Sequence, residues 1–239
     1  MKTPAHLRSG SYAGLRILNE FMDAIIYAGV FVFLLIRPFA VQTFRIPSGS
    51  MFDTLLLNDF IIANKAVFRY SDPQFGDIVV FKPPVYGKPA EEEDKDMDYI
   101  KRCRGIPGDV IEVRNGLFYR NGQEVREPFV KFGEGLDRMV YDFKLVQYKG
   151  EYWPLLWRPG SLPNMDGRTV NKYWAMDDQT ARTLASLPPA PIPPKHYLMM
   201  GDNREGSSDG RYWGLVERES VVGKSMFIWW PPSRWQVTR

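Results

Sequence analysis

The period of the apolar positions changes once along this chain, and the change separates two parts. From Ala24 to Ile36 the sequence reads AIIYAGVFVFLLI, uncharged and apolar on every side of a helix. A run in the range of about 10 to 14 residues fits a buried helix or the core of a signal peptide as well as part of a membrane span. Extended from Phe21 to Val41, it takes in Asp23 near one end and Arg37 near the other. It then reaches the about 17 to 25 residues that cross a bilayer, with Arg37 able to snorkel to the interface. The residues after the run, Arg37-Pro38-Phe39-Ala40-Val41-Gln42, offer no small-x-small cleavage site. A retained anchor over 21–41 is therefore expected ahead of a core helix or a cleaved signal. Lys2, Arg8 and Arg16 precede the run while Arg37 and Arg45 follow it, a small excess that puts residues 1–20 on the cytoplasmic side and 42–239 outside.

Beyond residue 58 the pattern becomes short β-branched and aromatic runs broken by turn residues. Phe60-Ile61-Ile62-Ala63, Ile78-Val79-Val80-Phe81 and Tyr99-Ile100 read as strands. Asn115-Gly116 and Asn121-Gly122 divide Val110 to Val125 into three short strands that fold back as a meander. Asp177 to Leu187 predicts one short helix with an acidic first turn. Pro188 to Pro194 predicts an extended, stiff polyproline II connector. The acidic run Glu91 to Asp98 reads as a solvated loop. This is the signature of a mainly β fold made of antiparallel sheets.

Composition narrows the chemistry. In 239 residues there are two His and one Cys, so neither a His/Cys zinc site of about four ligands nor an intrachain disulfide can be assembled. Cys103 reads as a small buried hydrophobe, and the redox compartment stays open. With 31 Lys+Arg against 28 Asp+Glu, the net charge of +3 is too small and too mixed to argue for nucleic acid.

Three stretches are dense in potential catalytic groups: Arg45-Ile46-Pro47-Ser48-Gly49-Ser50-Met51, Asp98-Tyr99-Ile100-Lys101-Arg102, and Gly201 to Arg211, which reads GDNREGSSDGR. Pro47-Ser48-Gly49-Ser50 is a tight turn, readable as a hydroxyl-rich loop capping its own backbone. The alternative reading, behind that one on these residues alone, is a serine nucleophile with backbone N–H groups and a second hydroxyl to hold an oxyanion. A nucleophilic serine needs a base. His6 lies before the apolar run and His196 beside the Pro-rich segment, which leaves lysine. Its ordinary pKa of about 10.4 makes lysine useless as a base near neutrality unless burial lowers it. Lys101, after Tyr99-Ile100 in an expected strand, suits that requirement, although a surface strand lysine fits the same residues.

Together the three stretches resemble those of bacterial type I signal peptidases, the membrane-bound Ser-Lys leader peptidases. The likeness includes Phe75-Gly76-Asp77-Ile78-Val79-Val80-Phe81, similar to the family's G-D-I-V-V-F strand, and Gly105-Ile106-Pro107-Gly108-Asp109 after the lysine. It covers the anchor and about residues 36–113 and 197–224, in the family's order. Ser-Gly-Ser-Met alone is weak, being shared with self-cleaving repressor-type Ser-Lys proteases, whereas G-D-N-R-x-x-S-S-D-x-R-Y-W-G is highly specific.

The resemblance implies antiparallel sheets in a partly open, barrel-like catalytic domain preceded by one transmembrane helix. It implies Ser50 as nucleophile, Lys101 as general base, and Ser48 with the Ser50 backbone N–H as oxyanion hole. Ser207 matches a serine that hydrogen-bonds the lysine amine, Asp209 and Arg211 match a supporting ion pair, and Arg102 joins that support. Phe44, Ile46, Met51, Leu55, Ile61, Val80, Tyr99 and Ile100 would line shallow pockets for small side chains, and each is also readable as a core residue. The implied substrates are signal-peptide-bearing preproteins cut after A-x-A-like sites at the bacterial inner membrane, with the lipid bilayer as a partner and without metal or organic cofactor. Specialised relatives maturing one pilin or conjugation precursor, plastid and mitochondrial versions, and a non-cleaving β domain that binds partners are the rival readings.

The spacing fits independently. Nine steps from Val41 to Ser50 reach at most about 30 Å, which keeps Ser50 near the bilayer surface. Phe227-Ile228-Trp229-Trp230-Pro231-Pro232 and Trp235 read either as interfacial aromatics or as core. Asn58-Asp59 and Cys103-Arg104 depart from the family pattern. Residues 126–195 read as a family-variable insertion.

Overall fold

A computed structural model describes residues 5–32, 40–82, 97–130, 141–158 and 177–238. The chain divides into residues 1–42 and 43–239. In the first unit, helix α1 spans Ala5–Phe31, so helix begins well before the expected anchor and takes in most of the segment assigned to the cytoplasm. Its apolar side chains from Leu15 onward, among them Phe21, Ile25 and Phe31, are exposed. Among the described residues no helix is long and apolar enough to cross a membrane. Residues 33–39 of the expected anchor lie outside the described residues.

In chain order the strands are β1 (Val41–Arg45), β2 (Phe60–Asn64), β3 (Ile78–Phe81) and β4 (Tyr99–Gly105), then β5 (Ile111–Arg114), β6 (Leu117–Arg120) and β7 (Gln123–Glu124). A hairpin of β8 (Asp142–Tyr148) and β9 (Glu151–Trp157) follows, and β10 (His196–Met200), β11 (Val216–Glu217), β12 (Val221–Trp230) and β13 (Gln236–Val237) end the order. The larger sheet runs β1-β2-β12-β3-β4-β10-β11, with β13 also paired to β12, and the smaller runs β7-β6-β5-β8-β9. All the pairings between these strands are antiparallel for which a register is seen, from β2–β12 to β8–β9. The path of the larger sheet does not close, as expected of an open architecture.

The three expected strands are present, and Tyr99-Ile100 proves to be the start of a seven-residue strand. β4 pairs with β3 on one side and β10 on the other, with Lys101 opposite Val79 and Arg102 opposite Ile78. The meander forms as expected because Asn115-Gly116 and Asn121-Gly122 all adopt positive φ, the requirement of a two-residue turn matching strand twist. Helix α2 is the single turn Val67–Tyr70. Helix α3, Asp178–Ser186, is capped by Asp177, whose carboxylate accepts the Thr180 N–H at 2.8 Å.

Two stretches are tied into the sheets. The Pro-rich segment is fastened along its length: Ala190 N–H donates to Leu145 O at 2.7 Å, Ile192 N–H to Asp109 O at 2.9 Å, and both side chains are buried. The 126–195 region also carries β8 and β9, which extend the small sheet from β5. The acidic run lies outside the described residues except for Met97 and Asp98.

Three apolar clusters organise the second unit around the larger sheet. One joins the small sheet to β10 through Val113, Phe118, Phe143, Leu198 and Met200. A second packs Ile46, Met51, Leu55 and Ile61 against Val80, Ile100 and Ile228. The third holds Val79, Phe81, Cys103, Tyr197 and Met199. Cys103 is fully buried, and burial pushes its thiol up to about 12, which makes it an inert hydrophobe as expected.

Candidate active site

Ser50 lies in a 3-10 turn, Gly49–Met51, between β1 and β2. The turn is pulled inward at both ends: Ile46 before it, Met51 as its last residue and Leu55 after it are core residues at no more than 1% exposure. Ser50 itself is 6% exposed. The loop after β10 backs the turn. Asn203 N–H donates to Ser50 O at 3.1 Å, and the Asn203 side-chain amide donates to Gly49 O at 3.1 Å. Gly201 makes this approach possible, since a Cβ there would stand 2.5 Å from Ser50 O and 2.2 Å from Ser207 Oγ.

The strand β4 brings Lys101 to the same turn from 51 residues away. Its side chain is 5% exposed, and Nζ donates to Ser50 Oγ at 2.6 Å. Burial lowers the amine from 10.5 to about 8; Asp209 and Asp202 pull it back up, and Arg211 pushes it further down. Ser48 Oγ stands 3.3 Å from Ser50 Oγ. The sequence-derived trio Ser48, Ser50 and Lys101 is therefore together in space.

Charge around this couple is paired. Arg102 Nε and Nη2 donate to the two Asp202 oxygens at 2.9 and 2.6 Å, and Nη1 donates to Gly76 O at 3.0 Å. Thr54 Oγ1 donates to Asp202 Oδ2 at 2.6 Å. Helix α4, Gly210–Trp213, begins at Asp209. Arg211 Nε and Nη2 donate to the Asp209 oxygens at 2.8 and 2.9 Å, and Gly201 N–H donates to Asp209 Oδ2 at 2.8 Å. Burial pushes the Asp209 carboxyl up, but the Arg211 guanidinium and the N–H groups of Gly201 and Arg211 outweigh it and hold the carboxyl below its ordinary value.

Ser207 departs from its expected part. It is buried, and its Oγ has no hydrogen-bond partner. The amine it was expected to hold is turned to Ser50 Oγ, while Ser207 is packed against Gly201.

Of the eight expected pocket residues, Ile46, Met51, Leu55, Ile61, Val80 and Ile100 are buried in one cluster, and Phe44 packs on its edge. Tyr99 stands with the other cluster, edge-on to Phe81 at 6.2 Å and with its ring centroid 5.9 Å from Lys101 Nζ. Gly201, Asp202 and Asn203 lay in a quoted motif without a role, and Thr54 carried no local signal. No group of His, Cys, Asp and Glu suited to a metal occurs among the described residues.

A hydroxyl facing a desolvated amine, backed by a hydrogen-bonded polar loop, is an arrangement able to carry acyl transfer. The family described as Signal peptidase, peptidase S26, matches residues 18–230. The chain is 33% identical over 227 residues to the signal peptidase I of Pseudomonas fluorescens, covering 84% of this chain and 70% of that one. It is 32% identical to the signal peptidase I of Aquifex aeolicus, covering 82% and 78%, and 28% identical to signal peptidase IB of Staphylococcus aureus, covering 92% and 93%. A solved signal peptidase I from Enterococcus faecalis aligns with TM-score 0.37 and 23% identity over 64% of this chain and 97% of that one. The chain belongs to the peptidase S26 signal peptidase family, and so to the proteolytic hydrolases.

Proposed function

We propose that this chain is a membrane-anchored serine endopeptidase that removes signal peptides from exported preproteins after small residues. The observation that carries the reading is the 2.6 Å contact of Lys101 Nζ with Ser50 Oγ, where burial brings the amine down to about 8. Neutral Lys101 takes the Ser50 proton as Oγ attacks the scissile carbonyl. The developing oxyanion is held by the Ser50 N–H and the Ser48 hydroxyl. Protonated Lys101 then gives its proton to the leaving amine, and water, activated by the same amine, releases the acyl group. Asp209, Arg211 and Arg102 brace the segments that carry these groups, and Ser207 fills the space against Gly201.

The apolar cluster beside Ser50 supports pockets for small side chains, with part-buried Phe44 and its neighbours Ile46, Met51, Leu55, Ile61, Val80 and Ile100 as their walls. Tyr99, beside Lys101, borders them. The anchor is residues 21–41, with residues 42–239 as the catalytic domain on the outer side of the bacterial inner membrane. Trp229, Trp230 and Trp235, exposed at 37%, 50% and 63%, suit a lipid interface, while Ile228 between β2 and β13 is core.

The test is to map the cut made in a purified exported precursor by the full chain, Ser50→Ala and Lys101→Ala. Cleavage after a small-x-small site by the unaltered chain alone is expected, with a rate that rises through about pH 8 as the amine loses its proton. Cleavage by either variant at the full rate would remove the assignment.

A further inference from the structure

Residues 127–129 lie outside every motif described above, yet they cover the polar face of β4. Glu127, with its side chain 8% exposed, places one carboxylate oxygen against two guanidinium groups. Arg204 Nη2 donates to Oε1 at 2.5 Å, and Arg104 Nη2 lies 2.7 Å from the same atom, off the hydrogen-bonding direction. Two residues on, the Phe129 ring lies 4.0 Å from the Arg102 guanidinium. Arg104 is itself between rings, 4.2 Å from Phe75 and 4.4 Å from Phe118.

The two arginines belong to different halves of the site. Arg104 is on β4, three residues after Lys101. Arg204 is in the loop that backs Ser50, where its Nε donates to Gly201 O at 3.1 Å and its own carbonyl accepts Arg211 Nη2 at 2.8 Å. Gly201 touches the space of the Ser50 carbonyl directly. Glu127 thus ends a short chain of contacts, from its carboxylate through Arg204 to Gly201 to Ser50, and a second from its carboxylate through Arg104 into the strand of Lys101.

We propose that Glu127 is a positioning residue for the reaction, tying the lysine-bearing strand to the loop behind the serine. It touches neither reacting atom. This inference rests on the Ser50–Lys101 reading. Removing its charge leaves two buried guanidinium groups without an anion between them, and loosens the far side of a strand–loop contact whose near side the Arg102–Asp202 pair still holds. Misplacement of about 1 Å between nucleophile and base costs up to about 10²-fold in rate.

The experiment uses the full chain and a peptidyl p-nitrophenyl ester ending in a small residue, with burst kinetics. Burst amplitude counts sites that acylate, and burst rate reports acylation at each site. For Glu127→Gln the expected result is an amplitude close to one per chain with a burst about tenfold slower or more. Glu127→Asp should recover part of that rate, because the anion is kept on a shorter arm. Arg104→Gln, which leaves the Glu127–Arg204 pair whole, should slow the burst less than Glu127→Gln, and it serves where the latter does not fold. An unaltered burst rate in Glu127→Gln and Arg104→Gln overturns the proposal, as does a loss confined to amplitude, the mark of a purely structural residue. A burst that survives Ser50→Ala would overturn the underlying reading, and the positioning role with it.

Discussion

Lys101 and Arg102 are consecutive on β4 and almost equally buried, and their two surroundings answer charge in opposite ways. Arg102 meets both oxygens of Asp202, the Gly76 carbonyl and the Phe129 ring. Lys101 meets the Ser50 hydroxyl and the Tyr99 ring, with no carboxylate at ion-pair distance among the described residues. A strand sends successive side chains to opposite faces, so one residue step separates a braced ion pair from a desolvated amine. Burial is shared by both. What makes one a brace and the other a base is whether an anion was buried with it.

The contrast breaks most sharply if Lys101→Arg still works. A guanidinium does not give up its proton, so cleavage of a precursor should fall by about 10³-fold. Stability separates the neighbours next. Arg102→Met strands the buried Asp202 carboxylate and should lower the unfolding free energy by about 3–5 kcal/mol in denaturant titration. Lys101→Met should move stability the other way. The folded lysine titrates at about 8 against 10.5 in the unfolded chain. Below both values the fold carries the full cost of protonating it, and between them stability rises with pH because the unfolded state binds more protons. The methionine variant should therefore gain about 1–3 kcal/mol at pH 7, and the gain should fade by about pH 10.5. The smallest effect belongs to Ser207→Ala. Its Oγ makes no hydrogen bond, so unfolding free energy should change by less than about 1 kcal/mol. A loss as large as that of Arg102→Met would mean Ser207 belongs to the paired side.

Local chemistry decided what was legible in the sequence. The Asn-Gly turns announce positive φ, and the meander was readable from them. The β8–β9 hairpin turns on Lys149-Gly150, also at positive φ, but lysine carries no such signal, and Pro154 inside β9 argues against a strand. Ser50 and Lys101 stood out through the resemblance of their polar motifs to the family's, since by its own neighbours Lys101 read as well as a surface strand lysine. Thr54 and Glu127 did not, since their contacts cross 148 residues to Asp202 and 77 to Arg204. No local period marks a side chain whose partner is that distant. The expected Ser207 contact came from the resemblance alone, and the packing at Gly201 set it aside.

The strand order carries a consequence for synthesis. β12, near the end of the order, lies between β2 and β3. Val221–Trp230 is the strand that joins two parts of the larger sheet, β1-β2 with the serine turn beside it and β3-β4-β10-β11 with the lysine. A chain stopped at Ser220 should therefore acylate no ester, although it contains both residues. On this order proteolytic power is expected only with the strand that stitches the two parts together.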